Sequence, residues 1–326
     1  MIIDVNTRIW SSPEQLGRET SDALRRMELE TEDRIDAGLD AHERSMQCVN
    51  VAFVQGFTSG LLGASVPDEY IAEYCRRRPG RVGVASIDPM QPGALERLDK
   101  ATELGLQAVA VSPSGQGFHP AHSRAMEIYE RAIELGIPVI VAKPWPVTRS
   151  SQMEFGRPAL WDEVARTFPN MPLLIGQLGY PWIDETLLLL AKHERVFADI
   201  SGVVSRPWQL YNALLTARSL GVMSRLLFGS GFPFETPTHA IETLYSLNTF
   251  SQGTPLPAVP RTLVNGIVER DVFTCLGMEP AAAGAAAGTS AKGSGGEPSG
   301  RPMPARSDAR AARKGGGSTG TGEADG

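Results

Sequence analysis

A (β/α)8 barrel, an α/β fold, followed by one further helix and a low-complexity tail is the architecture this sequence predicts, and three observations predict it. Short β-branched runs alternate with longer amphipathic stretches eight times. Eight such units spread over roughly 250 residues match a closed parallel barrel better than an open sheet. No G-x-G-x-x-G follows the first strand, which lowers a dinucleotide-binding alternative.

The predicted strands lie at 2–5, 49–54, 81–86, 107–111, 138–141, 172–175, 196–199 and 225–228. Between them, 3.6-residue periodicity marks helices. The first crossing, SDALRRMELETEDRIDAGLDAHERSM, reads as one long helix. PDEYIAEYCRRR, GALERLDKATELG, SRAMEIYERAIELG, PALWDEVARTF, ETLLLLAKH, PWQLYNALLTARSLG and PTHAIETLYSL follow. Gly105, Gly136 and Gly221 stand where helices stop. VPRTLVNGIVERDVFTCLG reads as an extra helix packed on the outside. From Ala281 onward the chain is Gly, Ala, Ser and Pro with almost no large apolar side chain, too little to offset its ordering entropy. The expected organisation is a barrel over 1–280 and a disordered tail over 281–326.

The 326 residues are 42% hydrophobic and carry a formal net charge of -6. That balance gives no general attraction to nucleic acid, and no apolar run reaches the length of a membrane span. The chain opens on a strand pattern without a basic-then-apolar leader, and Cys48, Cys75 and Cys275 are scattered and odd in number, so cytoplasmic residence with reduced thiols is expected.

A barrel places its chemistry at the C-terminal ends of its strands. In MIIDVNTRIW the alternation of strand side chains sends Asn6 and Arg8 the same way, into the barrel mouth. The other strand ends bring Ser112, Gln116 and His119, then Ala142, Lys143 and Trp145, then Gln177, Tyr180 and Trp182, then Asp199 and Ser201, and last Ser230, Gly231 and Phe234.

Across IIDVNTRIW, RVGVASIDPMQPGALERL, VSPSGQGFHP, ELGIPVIVAKP, PLLIGQLGYPW, VFADISG, RLLFGSGFPF and VPRTLVNGIVERDVF the chain resembles the amidohydrolase-related family of aminocarboxymuconate semialdehyde decarboxylase and resorcylate decarboxylase. The resemblance runs from residue 1 to about 278. It implies metal-dependent hydrolysis or decarboxylation, with ligands from a strand-1 Asp-x-His-x-His, a strand-5 His, a strand-6 His before Leu-Gly and a strand-8 Gly-Ser-Asp-Phe-Pro. At the matching positions this chain has Asn6, Arg8, Ala142, Gln177 and Gly231.

Zinc needs imidazole, thiolate or carboxylate donors, typically three at a catalytic site. Arg8 and Ala142 are not ligands, Gly231 offers no side chain, and Asn6 and Gln177 are poor zinc donors. A metal takes bound water from pKa 15.7 to about 7, so making hydroxide without it costs up to roughly 12 kcal/mol more. The expectation is therefore a site with no metal and no cofactor. His119-x-x-His122 is the one histidine pair available to a relocated metal, and it lacks an evident third ligand. His42, His193 and His239 are expected at the surface or an interface.

The replacements suit an anion. Arg8 and an inward-turned Lys143 supply positive charge, Asn6, Gln177, Ser112, Gln116 and Ser230 supply hydrogen bonds, and Trp10, Trp145, Tyr180, Trp182 and Phe234 wall off water. Arg8 pairing with Asp4 or Asp199 merely to fill the mouth stays open. Three function classes follow. The favoured one is a non-catalytic pseudoenzyme that binds a small carboxylate or phosphate, or serves an active relative as scaffold or regulatory subunit. The second is a metal-independent hydrolase, lactonase or decarboxylase-like enzyme with Arg8 as electrophile and His119 or Asp199 as base. The third is a structural protein recruiting through its tail. The expected partner is a second copy or an active relative, by analogy with the family, and neither nucleic acid nor membrane.

Overall fold

The computed structural model describes residues 1–31, 34–143 and 146–279. These residues fall in the first of two compact units, Met1–Gly284, and the second unit, with the predicted tail over 281–326, lies outside the described residues. Eight strands pair in parallel in sequence order: β1 Ile3–Arg8, β2 Val51–Gln55, β3 Arg81–Ser86, β4 Ala108–Val111, β5 Val139–Val141, β6 Leu173–Ile175, β7 Val196–Asp199 and β8 Leu226–Leu227. The ring closes between β8 and β1. Val5 N donates to Phe228 O at 3.0 Å, and past the end of β8 Gly231 N donates to Asn6 O at 3.0 Å. This is a (β/α)8 barrel, as the strand and helix rhythm predicts.

The α-helices of five or more residues are α1 Arg18–Thr31, α2 Leu39–Ser45, α3 Asp68–Arg77, α4 Ala94–Glu103, α5 Ser123–Glu134, α6 Trp161–Thr167, α7 Ile183–Lys192, α8 Pro207–Ser219, α9 Pro237–Ser246, α10 Arg261–Val268 and α11 Val272–Leu276, and four-residue helical turns lie at Pro113–Gln116 and Ser201–Val204. The outward side chains of the strands pack on these helices in one continuous apolar layer, while Ile3, Val5, Phe53, Ile140, Leu174 and Phe197 fill the barrel interior. Among the described residues no helix is long and apolar enough to cross a membrane.

Three expectations are corrected here. The first crossing is two helices, α1 and α2. Ile35 N donates to Glu28 Oε1 and Gly38 N to Asp36 Oδ1, so 34–38 leaves the helical path and Ala37 is drawn into the core beneath Trp10. The C-terminal helix is also two. The Asp271 side chain caps α11 by accepting from Thr274 N, and α11 turns Val272, Phe273 and Leu276 into the barrel's interior cluster, with Phe273 6.4 Å from Phe53. Third, His42 is wholly buried in the core. Its Nε2 lies 3.0 Å from Thr7 Oγ1 and its Nδ1 2.7 Å from Tyr74 Oη, so both ring nitrogens have hydrogen-bond partners. Burial pushes this ring down to about 3. His193 and His239 lie further out and pair with Asp162 and Glu235.

The candidate site at the barrel mouth

Asp199, at the end of β7, is fully buried and takes four hydrogen bonds. Oδ1 accepts from Ser201 N (2.9 Å) and Ser201 Oγ (2.5 Å), and Oδ2 from Asn6 Nδ2 and Gln177 N, both at 3.1 Å. An ionised carboxylate is acceptor-only, which orients the Asn6 amide. Its Nδ2 also donates to Ser201 Oγ at 2.9 Å, and its Oδ1 accepts from Gln55 Nε2 at 3.1 Å. Burial raises the Asp199 carboxyl, against the pull of these donors. Beside it, Asp4 Oδ1 accepts from Ser230 N and Asn6 N, while Oδ2 has no partner among the described residues. Burial pushes Asp4 up to about 7.

The backbone is strained where β6 ends. Gln177 and Leu178 both adopt left-handed φ, 57° and 48°, at a cost of roughly 1–2 kcal/mol each for residues with a Cβ. That turn presents Gln177 N to Asp199 while its side chain faces the mouth. Gly202 makes room for it, since a Cβ there would stand 2.3 Å from Gln177 O. Gly231 has φ +84°, and a Cβ on it would meet Ser201 Cβ at 3.2 Å.

Two buried cations lie in the mouth. Arg8 donates through Nη2 to Lys143 O at 2.7 Å and has no carboxylate within ion-pair distance among the described residues. Burial pulls it down to about 10, with Asp199 opposing. Lys143 Nζ donates to Gly179 O and Tyr180 O, both at 2.7 Å, and sits 5.0 Å over the Trp182 ring. Burial takes Lys143 down to about 7, although two carbonyls and a ring face favour its charged form.

Above this floor opens a cleft of about 550 Å³. Gln177, Ser201 and Ser230 form its polar side, Tyr180 and Phe234 its aromatic side, and Arg34 and Arg206 line it as well. Arg206 stacks on Tyr180 at 4.5 Å. Glu235 also lines it and pairs with His239.

The structure thus gathers Gln177, Tyr180, Ser230 and Phe234 at one cleft, with Asn6 beneath, and separates other sequence candidates from it. Trp10 is a core side chain packed 6.4 Å from Phe234. Gln116 staples neighbouring loops, with Nε2 donating to Thr58 O and Ile87 O and Oε1 accepting from Ser112 N, so both its N–H donors are spent within the protein. Ser112 is buried and its Oγ lacks a partner among the described residues. His119 Nδ1 accepts from Ala121 N and His122 Nδ1 accepts from Arg124 N as the cap of α5, and neither residue lines the cleft. Asp199 is fully buried and takes four donors from the protein, with the Ser201 hydroxyl between it and the cleft. Trp145 lies outside the described residues. Sequence reading missed Arg34, which the break after α1 brings to the cleft, and Arg206, because neither stands at a strand end.

The Amidohydro_2 family profile, described as amidohydrolase, matches residues 3–261. The chain belongs to the amidohydrolase family. This amidohydrolase is similar in fold to an uncharacterized TIM-barrel protein from Bordetella bronchiseptica (18% identity, 85% of this chain and 98% of that one, TM-score 0.66). It is also similar to an amidohydrolase from Burkholderia multivorans with bound zinc (13%, 86% and 100%, 0.62). A third likeness is to 2,6-dihydroxybenzoate decarboxylase from Rhizobium (14%, 85% and 98%, 0.56). Among curated proteins none matches.

The residues of this amidohydrolase do not fit the metal that the family implies. Asn6 spends its amide on Asp199, Ser201 and Gln55, and Gly231 has a backbone angle that disfavours any side chain. Among the described residues no group of three or more His, Cys, Asp or Glu side chains could hold a metal ion. Asn6 and Gln177, two of the positions where the resemblance implies a metal ligand, belong instead to the hydrogen-bonded hub around Asp199.

Proposed function

We propose that this amidohydrolase has left the family's metal chemistry and holds a small organic anion, a carboxylate or a phosphate, in the mouth cleft. It is then a pseudoenzyme as regards metal-dependent hydrolysis and decarboxylation, with a binding, scaffold or regulatory role. The observation that carries this reading is the cleft above the Asn6–Asp199–Ser201 hub, with Arg34 and Arg206 in its wall and Arg8 buried nearby without a carboxylate in ion-pair range among the described residues. Guanidinium groups beside an aromatic wall suit a planar anion, and each charge-assisted bond contributes about 1.5–3 kcal/mol.

Melting curves in EDTA with citrate, benzoate or inorganic phosphate test it. At least one anion is expected to raise Tm with concentration. Arg34→Gln is expected to weaken its apparent affinity by about tenfold or more. No shift with any anion, or a shift unchanged in both Arg8→Gln and Arg34→Gln, contradicts the reading.

The partner we assign is a second copy or an active relative, docking on α8, where Trp208 is 51% exposed and stacks 5.8 Å from Tyr211. We place the protein in the cytoplasm, in keeping with its three free cysteines. A metal-independent hydrolase is the second reading, and the Ser201–Asp199 hydrogen bond favours it.

A further inference from the structure

We infer that Ser201, with Asp199 as its proton acceptor, is an acyl-accepting nucleophile on the floor of the cleft, acting on an ester that carries an anionic group. The anionic part rests on the proposed function, and the nucleophile stands on its own geometry.

Ser201 Oγ donates to Asp199 Oδ1 at 2.5 Å and accepts from Asn6 Nδ2 at 2.9 Å. A hydroxyl has one proton and two lone pairs, so one lone pair remains. Ser201 is a cleft residue, and nothing from position 231 screens it, because Gly231 has no side chain where a Cβ would stand 3.8 Å from Oγ. Any side chain at position 231 would crowd the hydroxyl, so the glycine leaves the serine open to the cleft.

The acceptor is held as a triad holds its base. Gln177 N and Asn6 Nδ2 fix Oδ2, Ser201 N fixes Oδ1, and Gln55 fixes Asn6, so Asp199 cannot turn away from the serine. The strained turn at Gln177 is part of this clamp and also brings a side-chain amide to the same cleft. That amide can receive the developing oxyanion.

The reaction balances with water as the one co-reactant. The bond from Oγ to the ester carbonyl carbon forms while the hydroxyl proton passes to Asp199. The carbon–oxygen bond to the alcohol then breaks, and the alcohol leaves with that proton. Water attacks the acyl-serine, gives its proton to Asp199, and the acid departs as Oγ is reprotonated. Ester and water become acid and alcohol.

An alkyl fluorophosphonate, which captures activated serines, tests this on the full chain by peptide-mapped mass spectrometry. The expected result is one adduct, on Ser201, forming at least tenfold faster in the native protein than in urea and slowed by whichever anion raises Tm. Mapping the unsubstituted protein carries the test even where Ser201→Ala fails to fold. Unmodified Ser201, or modification confined to other residues, overturns the nucleophile and leaves the anion reading to its own melting test. Labelling of Ser201 with no anion effect on either rate or Tm keeps the nucleophile and overturns the anionic substrate.

Discussion

Replacing Asp199 by alanine is expected to lower the melting temperature by roughly 10 °C or more, the largest effect of any single substitution in the mouth. The variant strands four donors, Ser201 N, Ser201 Oγ, Asn6 Nδ2 and Gln177 N, around the space left by a fully buried carboxylate. Each unsatisfied buried donor costs about 1–3 kcal/mol. The hydroxyl can rotate to a new partner and a water can enter the vacated space, so the sum is expected near 4 kcal/mol rather than the full total. At about 2–4 °C per kcal/mol for a domain this large, that is the stated drop. Gln177 then also loses the hydrogen bond that offsets its left-handed backbone. Asp199→Asn is expected to fall between, because its NH2 must face a donor on one side. Melting of Asp199→Ala within 2 °C of the unsubstituted protein would show that the hub does not hold the mouth.

Asp4→Asn is expected to stabilise the protein at pH 8 and to do nothing at pH 4. The folded chain holds the Asp4 proton up to about pH 7, against an ordinary 3.8. Between those values it binds more protons than the unfolded chain, so stability falls as pH rises. At about 1.4 kcal/mol per pKa unit, the penalty at pH 8 is on the order of 4 kcal/mol. His42 works the other way. Its folded value of about 3 lies below 6.5, the unfolded chain binds more protons in between, and stability is lost as pH falls through that window. The two slopes largely cancel from about pH 4 to 6.5. Asp68, raised to about 6, is common to both proteins and drops out of the difference. Melting curves from pH 4 to 8 are therefore expected to diverge as pH rises, with the variant several degrees higher at pH 8 and the gap closing toward pH 4. A variant less stable at pH 8, or a gap independent of pH, contradicts this assignment.

Most of the barrel was legible because parallel strands buried on both faces are unbroken β-branched runs. The runs at 81–86 and 196–199 became strands with those limits, and the left-handed glycines at 105, 136 and 221 end helices where the sequence places them. What escaped depends on contacts distant in sequence. The break between α1 and α2 has no proline and is set by Glu28 and Asp36 side chains reaching the backbone. Apolar spacing in the last helix says it is amphipathic, and only the open end of the barrel decides that α11 turns inward. His42 sits in a polar stretch, yet three aromatic or hydroxyl neighbours from other elements, Tyr74, Phe232 and Thr7, bury it.

The site divides the same way. The strand-end rule led to Asn6, Gln177, Tyr180, Ser230 and Phe234, because strand ends converge in any barrel. It also offered Gln116 and Trp10, whose side chains turn to neighbouring loops and the core. Arg34 and Arg206 belong to the segments between elements, where no periodicity predicts direction.

Elemental mass spectrometry of the purified chain, after incubation with zinc and extensive washing, tests the central claim most directly. The expected content is well below one zinc per ten chains, since on the order of three good ligands is the minimum for a held ion. Near-stoichiometric zinc that survives the wash would contradict the account and mean that the chain keeps a metal centre despite the hub built from Asn6, Asp199 and Ser201.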